Sequence, residues 1–367
     1  MTAPSATLPR YETLDHWRGV AALAVVVFHA CQPWYEMRAP PSFAWLAAIA
    51  EQGYRGVHLF FVISGYCIAH LVVREYRGRR DVPGFLLQRF LRIYPPYWGA
   101  CLVAAMIALV SLPFNHGAIF ASPAGPGALP ASLGSWLNHV FLLDAWRDRG
   151  GYLLVAWTLS WELSYYILAA LALGLGLRFG RTTGLAFALT LAVAGTIPAV
   201  AAVLPPLAGW TEFMCGTCVF LAVDAHRRGR PPSPWLIPLL LFGAVGVILG
   251  GPTGNLTVSG AFALALFGLH RYDVRLGAVR SISWLGRLGA MSYSLYLIHV
   301  PVASPINNLL ARFIPAPSQI YLFSVLLAIV ASLVAAALFF AYVETPVESW
   351  RRSRHLRASP VSPKFPL

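Results

Sequence analysis

The stretch Leu14-Asp15-His16-Trp17-Arg18-Gly19-Val20-Ala21-Ala22-Leu23-Ala24-Val25-Val26-Val27-Phe28-His29 opens with an acid and a base, turns apolar, and ends in a histidine. It reads as a membrane helix. At about 100° per residue, the eleven steps from Arg18 to His29 come within about 20° of three whole turns. The fourteen steps from Asp15 to His29 come within about 40° of four turns. Asp15, Arg18 and His29 therefore share one face of an otherwise apolar helix, a placement that lipid alone disfavours. The run is too long for a signal-peptide core, carries Arg18 and His29 within it, and is followed by no small-x-small site. It is expected to stay as the first span.

Working outward, apolar runs of similar length recur along the 367 residues. Hydrophobic residues make up 58% and charged residues only 11%, with a mean hydropathy of +0.65. Soluble proteins carry charge on roughly a quarter of their residues. The composition predicts an all-α, polytopic transmembrane helix bundle with spans near 14–34, 56–73, 93–112, 152–177, 184–204, 209–225, 235–250, 255–270, 284–302 and 320–342. The segment 136–143 is apolar but too short to cross, and is expected to be re-entrant or interfacial. This gives an N-terminal segment 1–13, one membrane domain 14–350 and a basic, disordered tail 351–367.

The formal net charge of +13 raises the question of nucleic acid, but the bases lie in short runs between apolar spans without regular aromatic interleaving. They read as topology signals, and no nucleic-acid partner is expected. With ten spans, 22 of the 27 Lys and Arg fall on the side of the N-terminus. Under the positive-inside rule both termini are cytoplasmic. The longest outer segment, about 113–151, is rich in Pro, Gly and Ala and ends in Asp144-Ala-Trp-Arg147-Asp148-Arg149; it is either part of an external acceptor site or a linker. Cys215-Gly-Thr-Cys218 has metal or redox spacing, but without a second pair or a histidine cluster these read as small buried thiols, and no metal is expected.

A histidine of ordinary pKa, about 6.5, is a natural general base near neutrality. Arg18 lies about 16 Å along the helix axis from His29, half of a ~30 Å hydrocarbon core. The two side chains can hold two parts of one long ligand.

Several later segments join this opening. They are Gly53-Tyr-Arg-Gly56-Val57-His58-Leu59-Phe60-Phe61-Val62-Ile63-Ser64-Gly65-Tyr66, Arg89-Phe90-Leu91-Arg92-Ile93-Tyr94-Pro95 and Trp157-Thr-Leu-Ser160-Trp-Glu162. Near the end come Leu288-Gly-Ala-Met-Ser292-Tyr293-Ser-Leu-Tyr296-Leu-Ile-His299-Val-Pro301 and Glu344-Thr-Pro346. Together with the Arg18/His29 spacing, this ordered set over about 11–352 resembles the acyltransferase-3 family, membrane O-acyltransferases of bacterial surface polysaccharides and other hydroxylated acceptors. Two positions depart from the family pattern. His58 stands where an acid is common, and threonine replaces the first serine of the Trp-Ser-Leu-Ser-x-Glu element.

The resemblance implies an acyl-CoA donor, acetyl-CoA in the simplest case, as co-substrate with no permanently bound cofactor. Arg89 and Arg92 share a helix face, and guanidinium groups suit its phosphates. Glu162 sits inside the fourth span, where an ionised carboxylate costs about 2.5–3.5 kcal/mol on insertion scales. It is expected to orient His29 or bind an acceptor hydroxyl, or else to pair with a base. Ser160 points to another side and is expected at most to support by hydrogen bonding. His299 reads as structural or interfacial, Ser292, Tyr293, Ser294 and Tyr296 as helix-packing hydrogen bonders, and Glu344 as a partner of the bases that follow it.

The reading is a multi-pass enzyme of the bacterial inner membrane. His29 and Glu162 are its catalytic candidates; Arg18, Arg89 and Arg92 hold the donor, and Asp15 and Ser160 support. The acceptor is a saccharide or other hydroxylated molecule, taken by direct base catalysis or through a transient acyl-histidine. Acetyl-transferring relatives often carry an appended extracytoplasmic domain, so direct transfer or a separate extracytoplasmic transferase is expected. The alternative is a transporter of a carboxylate or lipid-linked sugar, with the same polar groups lining a pathway.

Overall fold

The computed structural model describes residues 8, 11–31, 40–78, 81–111, 132–143, 153–313 and 320–358. Among them there is no strand. The helices are α1 (Leu14–Cys31), α2 (Ala44–Glu51), α3 (Gly56–Gly78), α4 (Val82–Ser111), α5 (Leu133–Val140), α6 (Ala156–Phe179), α7 (Arg181–Gly195) and α8 (Pro198–Val203). They continue with α9 (Pro205–Arg227), α10 (Ser233–Gly250), α11 (Asn255–Leu269), α12 (Asp273–Gly277), α13 (Ser283–Ala290), α14 (Ser292–Phe313), α15 (Tyr321–Phe339) and α16 (Thr345–Ala358).

Every one of the ten predicted spans meets a helix, and among the described residues six helical stretches are both long and apolar enough to cross a membrane: Pro41–Gly78, Val82–Val110, Ala156–Phe179, Pro205–Arg227, Ser233–Gly250 and Tyr321–Ser353. Two expected spans are broken. Residues 184–204 divide into α7 and α8 because Pro198 forces the preceding Ile197 into an extended conformation, with ψ 116°. Residues 284–302 divide into α13 and α14 at Met291. The expected re-entrant segment 136–143 is the short α5, capped by Ser132, whose side chain accepts from the Ser135 amide. The tail expected to be disordered from 351 begins as the last turns of α16, to Ala358. Residues 359–367 lie outside the described residues, as does most of the outer segment 113–151 with its Asp144–Arg149 run.

The bundle is organised around α9, which is buried without a break from Gly209 to Ala225. A helix can occupy that position only if its neighbours come close. Gly65 of α3 and Gly216 of α9 permit it: a Cβ on either would stand 1.9 or 1.8 Å from a backbone oxygen of the other helix. Without a hydrophobic force between helices in lipid, such small-residue seams are what lock helices together. A second seam joins α1 to α13, where a Cβ on Gly289 would lie 1.6 Å from the Asp15 carbonyl oxygen. The start of α1 is also tied from a distance. Asp273 accepts from the Thr13 amide at 2.9 Å and the Thr13 hydroxyl at 2.7 Å. These contacts fix α1 against α12 and α13, while a Cβ on Gly56 of α3 would stand 2.4 Å from the Ala21 carbonyl oxygen of α1, and together they decide which side chains meet its polar face.

Candidate functional site

Two cavities lie along α1. The first, of about 250 Å³, collects Arg18 from α1, Ser64 from α3, Arg89 and Arg92 from α4, and Glu162 and Tyr166 from α6. Arg89 and Arg92 are three residues apart, so the helical period turns both to this cavity. Glu162 accepts from Ser64 Oγ at 3.3 Å and from the Tyr166 hydroxyl. Arg89 stacks over the Tyr166 ring at 5.8 Å, and its Nε is buried without a hydrogen-bond acceptor. Asp15 lies 3.3 Å from Arg18 but is more than half exposed, so it holds that guanidinium from the rim. Three guanidiniums therefore face Glu162 inside and Asp15 at the rim, leaving an excess of one positive charge in the site. Such a site attracts an anion, and guanidinium donors favour phosphate oxygens.

The second cavity, of about 660 Å³, holds His29 from α1, Tyr54, His58 from α3, Trp157 and Trp161 from α6, and Glu212 from α9. The two cavities share Val57 and Tyr296 as walls. Tyr296 is fixed there by a 2.6 Å hydrogen bond to Thr158 and an edge contact with Phe60, 6.1 Å between ring centroids. A septum of Phe60, Thr158 and Tyr296 thus separates a cationic chamber from an imidazole chamber. Because α1 is one unbroken helix from Leu14 to Cys31, Arg18 and His29 stand about 16 Å apart along it, one in each chamber.

The His29 ring packs on Phe28 and lies 5.1 Å, centroid to centroid, from the ring of His299. His299 is 1% exposed and bonds the Leu295 carbonyl oxygen through Nδ1 at 2.9 Å. That bond requires Nδ1 to carry the proton and leaves Nε2 as the acceptor nitrogen. On the other wall, His58 Nδ1 lies 2.7 Å from Glu212 Oε2, which also accepts from Ser259 Oγ at 2.6 Å. A carboxylate holding Nδ1 sets the ring's orientation and directs its other nitrogen elsewhere.

The structure brings together Arg18, Arg89, Arg92 and Glu162, with Asp15 at the edge. It does not bring Glu162 to His29. Glu162 lines the arginine chamber, so the expected role of orienting the histidine does not fit its position; the neighbour of His29 is His299. Ser160 lies in neither chamber. It is 1% exposed and donates to the Leu142 carbonyl at 3.0 Å, pinning a residue whose φ of 58° lies in the left-handed region. Glu344 does not pair with the following bases either. A π-helical turn, Phe340–Glu344, shifts the register of the chain, and Glu344 accepts from the Ser294 amide at 3.1 Å and its hydroxyl at 2.5 Å. Tyr293 and Ser294 are packing hydrogen bonders as expected, Tyr293 donating to the Ile93 carbonyl at 2.8 Å.

The group missed from sequence is His58–Glu212–Ser259. An acid inside the apolar run Gly209–Ala225 was itself a signal, since an intramembrane carboxylate needs a partner. Its partner lies 154 positions away, and no local spacing could name it.

A family model described as an acyltransferase domain matches residues 11–341. The exopolysaccharide production protein ExoZ of Rhizobium meliloti is 28% identical over 285 residues, 73% of this chain and 83% of its own length. The peptidoglycan O-acetyltransferase OatA of Listeria monocytogenes is 22% identical over 371 residues, 91% of this chain and 55% of its own length. This chain thus spans about half of that relative. Protein 2 of the picA locus of Rhizobium radiobacter is 39% identical over 89 residues, 24% of this chain and 40% of its own length. No solved structure matches the chain.

Proposed function

The chain belongs to the acyltransferase-3 family, and from that premise we propose that it moves a short acyl group, acetyl in the simplest case, from acyl-CoA to a hydroxyl of a saccharide or other cell-envelope acceptor. It works in the bacterial inner membrane, with the arginine chamber toward the cytoplasm, where the donor is made. The observation that carries this reading is the pair of chambers on one helix. Three arginines converge in one, two cavity-lining histidines face the other, and the septum at Tyr296 separates them.

Arg18, Arg89 and Arg92 bind the donor's phosphates, and Glu162 with Tyr166 sets where the guanidiniums lie. The acyl end of the donor reaches the septum. In the second chamber the acceptor rests against the faces of Trp157 and Trp161, the kind of surface that takes the apolar faces of sugar rings. His29 removes the proton of the attacking hydroxyl as its oxygen forms the new ester bond and the thiolate of CoA leaves. His58, steadied by Glu212, positions the acceptor. The excess positive charge next door favours the departing thiolate.

The test uses membranes containing the protein, labelled acetyl-CoA and a saccharide acceptor fraction. Wild type is expected to label the acceptor, and His29→Ala at matched expression to lose that labelling. Undiminished transfer by His29→Ala would remove His29 as the base. Uptake of free substrate with no acylation would replace the enzyme with a transporter.

A further inference from the structure

Away from both chambers, a cleft of about 260 Å³ opens between α3, α6, α7 and α9. Its depth is set by its walls. It runs from Leu221 to Trp210 on α9 and from Gly176 to Tyr165 on α6, eleven residues in each case. At ~1.5 Å per residue each run is about 16 Å, close to one leaflet of a ~30 Å hydrocarbon core.

The interior is apolar, and the polar groups at its deep end are already used. Thr217 donates to the Gly65 carbonyl at 3.3 Å and lies 3.0 Å from the Tyr165 hydroxyl, while Trp210 Nε1 donates to the Ala188 carbonyl at 2.9 Å. A ligand bearing amides or hydroxyls would lose its hydrogen bonds to water on entering and find none in return. A hydrocarbon chain loses nothing. This is what separates the cleft from the arginine chamber, where Arg18, Arg89, Arg92 and Glu162 stand among the apolar walls.

The mouth has the opposite character. A second cavity, of about 580 Å³, shares Arg77, Arg181, Leu185 and Leu221 with the cleft and adds Arg228 and Arg230. Asp224 is the carboxylate there. It bonds Arg228 Nε at 2.9 Å and Arg77 Nη2 at 3.4 Å. Four guanidiniums against one carboxylate leave an excess of three positive charges, and Arg228 Nη2 is buried without an acceptor. Trp235 stands at the rim, the residue type enriched where headgroups meet hydrocarbon. A mouth with surplus positive charge over an apolar slot one leaflet deep matches a ligand with an anionic head and a hydrocarbon tail.

We propose that this cleft is a binding site for one anionic phospholipid, its phosphate held by Arg77, Arg181, Arg228 and Arg230 and one acyl chain filling the slot. The assignment does not depend on the acyl-transfer reading.

The experiment uses the full chain, delipidated in detergent, and follows its thermal unfolding midpoint while phosphatidylglycerol is added. Phosphatidylcholine, inorganic phosphate and a polyprenyl phosphate are added in parallel arms. Saturable stabilisation by phosphatidylglycerol, with at least tenfold weaker effects from phosphatidylcholine and inorganic phosphate, is the expected result. The double variant Arg181→Gln/Arg230→Gln, whose side chains are exposed and form no ion pair among the described residues, is expected to fold normally and weaken the phosphatidylglycerol response at least tenfold. Ala172→Phe, which fills the slot, is expected to abolish it. Equal responses to the two phospholipids would overturn the proposal, as would an unchanged response in the double arginine variant. A polyprenyl phosphate binding tenfold tighter than phosphatidylglycerol would overturn it in favour of a lipid carrier.

Discussion

The two chambers along α1 are about the same distance from its middle, yet they solve opposite problems. In the arginine chamber, charge is left over: three guanidiniums face Glu162 inside and Asp15 at the rim, and Arg89 keeps a buried N–H unsatisfied. In the histidine chamber, the carboxylate is matched and the rings are oriented: Glu212 takes both His58 and Ser259, and the neighbouring His299 is held through Nδ1 by its own helix backbone, with its buried Nε2 free. A site that must bind an anion benefits from unspent donors. A site that must move a proton benefits from rings held in one orientation. Under the proposed function the first chamber recognises and the second reacts, and the septum at Tyr296 is the boundary between binding and chemistry.

The sharpest test of that division is His29→Ala. Loss of a general base is expected to cost about 10²- to 10⁴-fold in kcat while the donor KM stays near its wild-type value. Steady-state kinetics on acetyl-CoA in membranes measures both, and a change confined to KM would erase the distinction between the chambers.

Next in size are Arg89→Ala and Arg92→Ala. Each removes a charge-assisted contact worth about 1.5–3 kcal/mol, so kcat/KM for the donor is expected to fall roughly 10- to 100-fold, mainly through KM. Raising ionic strength should weaken donor binding by the wild type, because added ions compete for the cationic chamber. The acceptor KM should not move.

Glu212→Gln probes the other chamber. Glutamine keeps the size and can still accept from Ser259, but it no longer offers a charge to His58. A roughly tenfold rise in the acceptor KM is expected, equal to about 1.4 kcal/mol, with the donor KM unaffected. Equal changes in both would merge the chambers into one site.

Ser160→Ala should have the smallest effect. It removes a buried hydrogen bond to Leu142, which is expected to cost about 1 kcal/mol of stability and leave both KM values and kcat unchanged. A kinetic defect without a stability loss would return Ser160 to the site.

Much of this was readable in the chain as a string of residues. The apolar runs foretold helices at all ten places, because burying a backbone in lipid leaves the helix as the natural solution for a continuous apolar segment. The Arg18/His29 ruler survived intact, since α1 is one helix and the spacing along a helix is set by its rise alone. The facing of Arg89 and Arg92 followed from the same period. What failed were expectations that needed a second helix. Glu162 was expected to orient His29, bind an acceptor hydroxyl or pair with a base, and α6 places it in the chamber of Arg18, Arg89 and Arg92, away from His29. Glu344 was to meet nearby bases, but a π turn hands it to Ser294. His299, read as structural or interfacial, is buried and bonded to its own helix backbone, and packing also sets its ring 5.1 Å from that of His29, a neighbour no spacing named.

The amino-acid sequence by itself determined that this is a helical membrane protein, that its first helix carries an arginine and a histidine on one face half a bilayer apart, and that Arg89 and Arg92 share one helix face. These are properties of one helix at a time, governed by local periodicity and transfer into lipid. Only the tertiary structure decided that the site is two chambers divided by Tyr296, that His58 is held by Glu212, and that His29 neighbours His299. Those pairings depend on rotations and close approaches between helices, set by backbone seams at Gly65, Gly216 and Gly289, and no spacing within a single helix encodes them.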